Sequence, residues 1–254
     1  MQERDKLVKV FDNQAEAYNK YRPGYPGELI RELIDLTGLA PGADILEIGC
    51  GTGQITLDLL KAGFRITAVE KGSALAEIAA RNTNAFPEAK IVNLPFEAFE
   101  TPQKFQLAVS AQAFHWIKKE PGLNKISHLL EPDGSVALIW HLDKSQSTDF
   151  WQRTKPIYDY YFPNTKFSLI DSPSEHETYL QTRKDFQTVL RREYTWTQVY
   201  QKEDYLGLLS TFSMQMNLLP KKRESFFYAI ADLIDTCGGK VERHYETVMI
   251  LGKK

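Results

Sequence analysis

Ile45-Leu-Glu-Ile-Gly-Cys-Gly-Thr-Gly53, running directly into Gln54-Ile-Thr-Leu-Asp-Leu-Leu-Lys61, reads as a strand, a glycine-rich turn and a helix in immediate succession. Gly49, Gly51 and Gly53 let the backbone turn tightly and approach a ligand closely, and the start of the following helix offers unpaired N–H groups. Such a turn is a nucleotide-type cradle, although a glycine turn after a strand is also common structural punctuation.

The same rhythm extends on both sides. Apolar runs recur at Asp44–Ile48, Arg65–Val69, Lys90–Leu94, Gln106–Ser110 and Ser135–Trp140, with helical patterns at Gln54–Lys61, Ser73–Thr83 and Pro121–Leu130 between them. Strand-helix alternation of this kind predicts an α/β fold, a mostly parallel sheet with helices on both faces. Upstream, Leu29, Ile30, Leu33 and Ile34 recur at helical spacing and Gly38 closes the helix. Tyr21-Arg-Pro-Gly-Tyr-Pro26 ahead of it forces an extended turn. After Trp140 the rhythm stops. Lys144–Gln187 reads as a mainly helical cap or insertion, and strand candidates return at Glu193–Thr197 and Tyr245–Leu251, separated by helical pieces that include Phe226–Ile234.

The second strand ends in Glu70, where an acid in this architecture accepts hydrogen bonds from a ribose. Loop and acid together are a stronger signal than either alone. The spacing is G-x-G-x-G: counted from Gly49 the third glycine of a dinucleotide fingerprint falls on Gln54, and counted from Gly51 on Thr56. No Gly-Lys-Ser/Thr follows, which excludes a Walker loop. With no pyrophosphate to neutralise, the glycines suit an adenosine linked to an amino acid. An NAD(P)-dependent oxidoreductase on the same sheet remains the alternative, separable by cofactor preference.

A formal charge of −2 over 254 residues leaves no electrostatic footprint for nucleic acid, and Lys221-Lys-Arg223 is the largest basic run. Two cysteines, Cys50 and Cys237, are too few for a disulfide scaffold or a zinc site, so no metal is expected and a cytoplasmic setting is the default. No apolar run is long enough for a membrane span, and no signal peptide is read at Met1–Lys6. The chain is expected as a monomer or homodimer.

Ile45–Gly53 resembles the first signature of class I S-adenosylmethionine-dependent methyltransferases, and the similarity continues through Val69-Glu-Lys-Gly-Ser-Ala-Leu75 and Ser110-Ala-Gln-Ala-Phe-His-Trp116. With Tyr21–Pro26 it is similar to the small-molecule subgroup containing trans-aconitate methyltransferase-like proteins. The resemblance implies a Rossmann-like seven-stranded sheet whose last strand is antiparallel, S-adenosylmethionine as cofactor, and a small-molecule acceptor, with O-methylation of a carboxylate or hydroxyl favoured. It further implies that Gly49, Cys50, Gly51, Gly53, Gln54 and Ser110 line the methionine and ribose portion. Glu70 would hold the ribose hydroxyls with Lys71 beside it, Leu75 would pack on the adenine, and Phe96 and Glu97 would lie at its edge. Pro95 stands where many relatives carry an acid for the adenine amino group. The same cofactor serves nucleic-acid and protein methyltransferases, but Ser110-Ala-Gln-Ala113 occupies the place of their acceptor signature. A non-catalytic adenosyl-binding protein would share every one of these features.

His115 is the candidate for acid-base work because imidazole titrates near neutrality, and a gate or packed pair with Trp116 is the competing reading. Cys50 reads as a packed residue rather than a nucleophile. Tyr18, Tyr21 and Arg22 fold over the pocket mouth, where Arg22 suits a carboxylate of cofactor or substrate, or else form a surface turn. Gln112, Trp116, Trp140 and His141 complete the expected substrate pocket, and Phe150, Trp151, Tyr158, Tyr160, Tyr161 and Phe162 read as the cap's own core. The expected division is a lid and first helix over 1–40, the cofactor core over 41–142, the cap over 143–190, and strands and helices completing the sheet over 191–254.

Overall fold

The computed structural model describes residues 14–163 and 172–254; the first thirteen residues of the expected lid, and 164–171 of the expected cap, lie outside the described residues. Strands form where the apolar runs predict them: β1 (Asp44–Ile48), β2 (Arg65–Glu70), β3 (Ala89–Asn93), β4 (Phe105–Ala111) and β5 (Leu130–Asp143). With β6 (Thr188–Gln201) and β7 (Lys240–Lys253) they make one seven-stranded sheet in the order β3-β2-β1-β4-β5-β7-β6. The pairs among β1 to β5 are parallel, and β7 runs antiparallel to both β5 and β6. The architecture is the Rossmann-like, mostly parallel sheet that the alternation implies.

Helices α1 (Ala15–Tyr21), α2 (Gly27–Thr37), α3 (Gln54–Lys61), α4 (Ser73–Thr83) and α5 (Lys119–Leu129) connect the first strands. In α2 the stripe Leu29, Ile30 and Leu33 is buried, and Gly38, at φ +66°, ends the helix by donating its N–H to the Ile34 carbonyl. The central strands β1, β2 and β4 are covered on both sides, which is why they read as continuous apolar runs. One face packs Leu29, Leu33, Ile45, Leu59 and Val109, and the other Leu46, Ile48, Phe114, Leu123 and Leu138. Each such burial contributes roughly 1.5–3 kcal/mol.

Strand order reverses between β1 and β4, whose carboxyl ends therefore open a crevice. A second feature roofs it. Residues 240–244 of β7 have run past the end of β5 and pair with β6 alone, so the two strands continue as a ribbon beyond the carboxyl edge of the sheet. Around this ribbon α6 (Asp149–Tyr161), α8 (Lys202–Ser210), α9 (Ser213–Met216) and α10 (Pro220–Thr236) pack a separate aromatic core that includes Tyr158, Phe162, Tyr205, Phe226 and Tyr245. The short apolar windows 193–197 and 245–251 underestimate both strands, because polar residues alternate along the ribbon. Helix α7 (Pro173–Gln181) instead seals the sheet face, burying Leu180 against the second core.

Helix α1 is docked on α8, where Gly207 makes room for Tyr21: a Cβ at Gly207 would stand 2.4 Å from the Tyr21 ring. The absence of that methyl group holds Tyr18 and Arg22 over the crevice. Gly207→Ala should displace Tyr21 at a cost of about 1–3 kcal/mol, only partly offset by the roughly 1 kcal/mol gain in helix propensity. Denaturant unfolding should show a net loss of stability; an unchanged or higher midpoint would mean that α1 is not seated in this way.

Candidate functional site

A cavity of about 1090 Å³ opens at the carboxyl ends of β1, β2, β4 and β5 and runs beneath α8 and α9. Single small-molecule sites span roughly 300–1,000 Å³, so this one stands at the upper end of that range. Its first half is built on the glycine loop. Gly49 sits at φ +72°, and a Cβ there would lie 2.5 Å from the Cβ of Ala113, so only glycine lets the loop pass β4. Gly51 (φ +57°) lies under the Tyr18 ring. Its N–H donates to Glu70 Oε2 at 2.9 Å, while Gly72 N–H donates to Oε1 at 2.7 Å. The two bonds fix the direction of the carboxylate at the edge of the cavity. Asn93 supports the turn from behind, its Nδ2 donating to the carbonyls of Glu70 and Lys71.

Along this half run Gly49, Cys50, Gly51, Gln54, Glu70 and Lys71, then Leu75, Pro95, Phe96 and Glu97. Burial pushes the Cys50 thiol well above its ordinary range, which agrees with the packed reading of that residue rather than the nucleophilic one. Gln112, His115, Trp116 and His141 also line the cavity, as do Tyr18 and Arg22. Gln112 has φ +57°, the one positive φ outside glycine among the described residues, and its N–H is tied to the Ile139 carbonyl at 2.8 Å. A left-handed residue at the carboxyl edge of β4 is a place where backbone strain and a ligand site coincide.

Four expected site residues do not line it. Gly53 (φ +90°) lies under α4, where its missing side chain leaves 3.6 Å to Ala79. Ser110 is buried and donates to the Ile48 carbonyl at 2.9 Å, joining β4 to β1. Tyr21 is turned onto Gly207. Trp140 is fully buried on the other face of the sheet, stacked on His176 with ring centroids 4.9 Å apart. Neighbours on a strand point to opposite faces, so Trp140 and His141 cannot share one pocket. Of the six aromatics read as the cap's core, Tyr158 and Phe162 are buried there, Trp151 lines the cavity and Tyr160 is 77% exposed.

The second half of the cavity escaped the sequence reading. Its walls are Tyr158, Tyr205, Phe212 and Tyr245, with Asp143, Gln215 and Arg243 among them. Arg243 was legible only through the period of two: over residues 240–247 it forms the buried side of the strand with Val241, Tyr245 and Thr247, and the residues between them are more exposed. Arg243 pairs with Asp143 through Nη2. Burial opposes its charge, but Tyr245, Tyr205 and Asp143 together outweigh that and hold its pKa above the ordinary range. Arg22 donates from Nε to Thr211 Oγ1 (2.8 Å) and from Nη2 to the Thr211 carbonyl (3.0 Å), and burial pulls its pKa down.

His141 is a wall rather than a switch. Thr247 Oγ1 lies 2.8 Å from His141 Nδ1 and accepts from Trp196 Nε1, also at 2.8 Å; with that N–H donating to it, the threonine hydroxyl is free to donate to His141. Burial pushes the imidazole down to about 4, so it is neutral at physiological pH. Glu47, in β1, is displaced the other way: burial first, and then the charges of Glu70 and Asp58, raise its pKa to about 8, against the hydrogen bond that Thr56 Oγ1 donates at 2.6 Å. Among the described residues no three His, Cys, Asp or Glu side chains cluster as a metal site, and no helix is long and apolar enough to cross a membrane.

Residues 45–134 match a family described as a methyltransferase domain. The "Probable S-adenosylmethionine-dependent methyltransferase CRG1" of Saccharomyces cerevisiae is 28% identical over 148 residues, 56% of this chain and 50% of that protein, so the match spans half the length of that relative. An uncharacterised methyltransferase of Schizosaccharomyces pombe, C25B8.09, is 23% identical over 90% of this chain and 88% of its own length. Among solved structures, a candidate type II methyltransferase from Anaeromyxobacter dehalogenans superposes with a TM-score of 0.68 at 21% identity, covering 92% of this chain and 98% of that one. These likenesses speak for the methyltransferase class rather than for the trans-aconitate subgroup.

Glu47 gives a prediction about stability. With a folded pKa of about 8 against an ordinary 4.5, the folded chain keeps a proton that the unfolded chain releases in between. The resulting stabilisation is complete below about pH 4.5 and is lost as pH rises towards 8. Glu47→Gln is uncharged throughout and lacks this slope. The melting temperature of the wild type should therefore fall relative to that of Glu47→Gln between about pH 5 and pH 8; parallel curves would place an ionised carboxylate at this position.

Proposed function

We propose that this chain transfers the methyl group of S-adenosylmethionine to a small-molecule acceptor, a reading supported by the match of residues 45–134 to a methyltransferase-domain family. The observation that carries the reading is the Glu70 carboxylate, fixed by Gly51 and Gly72 beside a loop that only glycine can form. A carboxylate held in this way at the end of β2 suits the two hydroxyls of a ribose. Leu75 and Phe96, both buried, offer apolar faces to the adenine, while Lys71 and Glu97 stand at its rim. Gly49, Cys50, Gly51 and Gln54 flank the amino-acid portion, and Tyr18 and Arg22 close over it, with the guanidinium suited to its carboxylate.

When bound, the cofactor supplies a methyl group already activated by its positive sulfur. The protein's task is then to bind two ligands in line, orient them and exclude water. Helices α1, α8 and α9 provide the roof, and the strained Gln112 backbone fixes the wall between the two halves. Oxygen is the acceptor atom that this reading favours. A carboxylate can attack without help, whereas a hydroxyl needs a base, and His115 lines the cavity for that role. His141, engaged by Thr247, is not that base.

Calorimetric titration with S-adenosylhomocysteine tests the reading. The wild type should bind it, and Glu70→Ala should weaken binding by about 100-fold or more, because two charge-assisted hydrogen bonds of roughly 1.5–3 kcal/mol each are lost. Binding of NADH in preference to S-adenosylhomocysteine, or unchanged affinity in the variant, would overturn it.

A further inference from the structure

The deep half of the cavity is charged and aromatic at once. The guanidiniums of Arg22 and Arg243 lie against the same Phe212 ring, with their central carbons 4.3 and 5.7 Å from its centroid. Among the described residues lining the cavity there are four acids. Glu70 and Glu97 line the cofactor half, and burial pushes the Glu47 pKa up to about 8, which leaves Asp143 as the acid that pairs with Arg243 in the deep half. Asp143 is bonded to one terminal nitrogen of Arg243. The other, Nη1, is buried with no hydrogen-bond partner among the described residues, although Arg243 is only 8% exposed and lines the cavity. Beside it the amide of Gln215, 2% exposed, has one end on Tyr158 Oη and the other buried without a partner. Buried donors of a charged group left unpaired cost free energy that folding alone does not recover.

We propose that this half of the cavity receives an acceptor bearing a carboxylate on a flat, aromatic body, with Arg243 as the anion ligand. The inference deepens the methyl-transfer reading and rests on it for the word acceptor, though not for the site. A planar guanidinium with a free Nη1 matches a carboxylate in geometry as well as charge. The tyrosines at 158, 205 and 245 with Phe212 bury an aromatic ring with little loss of side-chain freedom. Asp143 keeps Arg243 ionised and in place while leaving part of its fork unused. Selectivity follows from the same parts: a cationic amine would meet the Arg243 guanidinium, and a neutral amide would bring no charge to its open Nη1.

The test uses calorimetry on the full chain, both saturated with S-adenosylhomocysteine and ligand-free. Benzoate, 3-phenylpropionate and 4-hydroxycinnamate are compared with benzamide and benzylamine. At least one acid should bind about 10- to 100-fold tighter than the amide, and the amine should not compete. Arg243→Lys preserves the charge facing Asp143 but not the fork, and should weaken acid binding by about tenfold or more; the paired change Asp143→Asn with Arg243→Gln should abolish it. Circular dichroism verifies that both variants fold. Acids that fail to bind, that bind no tighter than benzamide or benzylamine, or that bind the variants undiminished, overturn the proposal. Acid binding to the ligand-free chain without any binding of S-adenosylhomocysteine would remove the methyl-transfer reading and leave this one standing.

Discussion

The carboxylate of Glu70 is the joint on which the site depends. It accepts one N–H from Gly51 and one from Gly72, and so ties the turn after β1 to the turn after β2 across the edge of the sheet. Gly49, Gly51 and Gly53 are all at positive φ, and the carboxylate adds to the bond from Gly49 N–H to the Val69 carbonyl in directing their loop. The loop is thus held where β1 and β4 part. A ligand that binds at the Glu70 carboxylate therefore meets a surface that is already organised, which lowers the ordering cost of binding.

The rest of the fold serves to cover that joint. The parallel strands supply a rigid floor, buried on both faces, and the antiparallel β7 carries the chain back over the carboxyl edge as a ribbon with β6. Helices α6, α8 and α10 find their own core around that ribbon, with Phe226, Ile230 and Ile234 buried against Tyr158 and Tyr205. The roof is thus stabilised independently of the floor, and the space between them can stay open without leaving a void in either core.

Sheet and glycine turn were legible because both leave local marks: apolar runs at strand length, glycines at fixed offsets, an acid at the end of the next strand. The deep chamber was not, because its residues come from β5, α6, α8, α9 and β7 and no window of sequence contains two of its charges. Arg243 reads locally as part of a polar strand end, Lys240-Val-Glu-Arg-His-Tyr245, and only the pleat reveals that it shares a side with Val241 and Tyr245. The same pleat explains Trp140, which stands next to a pocket residue in sequence and on the opposite face of the sheet in space. Tyr21, one residue from Arg22, was turned away by a glycine 186 positions later, and contacts of that range carry no local signal.

The claim that unites floor, joint and roof is that one cavity takes an adenosyl ligand at the Glu70 end. A crystal structure of the chain grown with S-adenosylhomocysteine tests it most directly. The ribose hydroxyls should lie within hydrogen-bond distance of the two Glu70 oxygens, with the adenine between Leu75 and Phe96 and the deep chamber still open beyond Arg22. Density for the ligand anywhere else, or a Glu70 carboxylate with no contact to it, would contradict the assignment of this crevice.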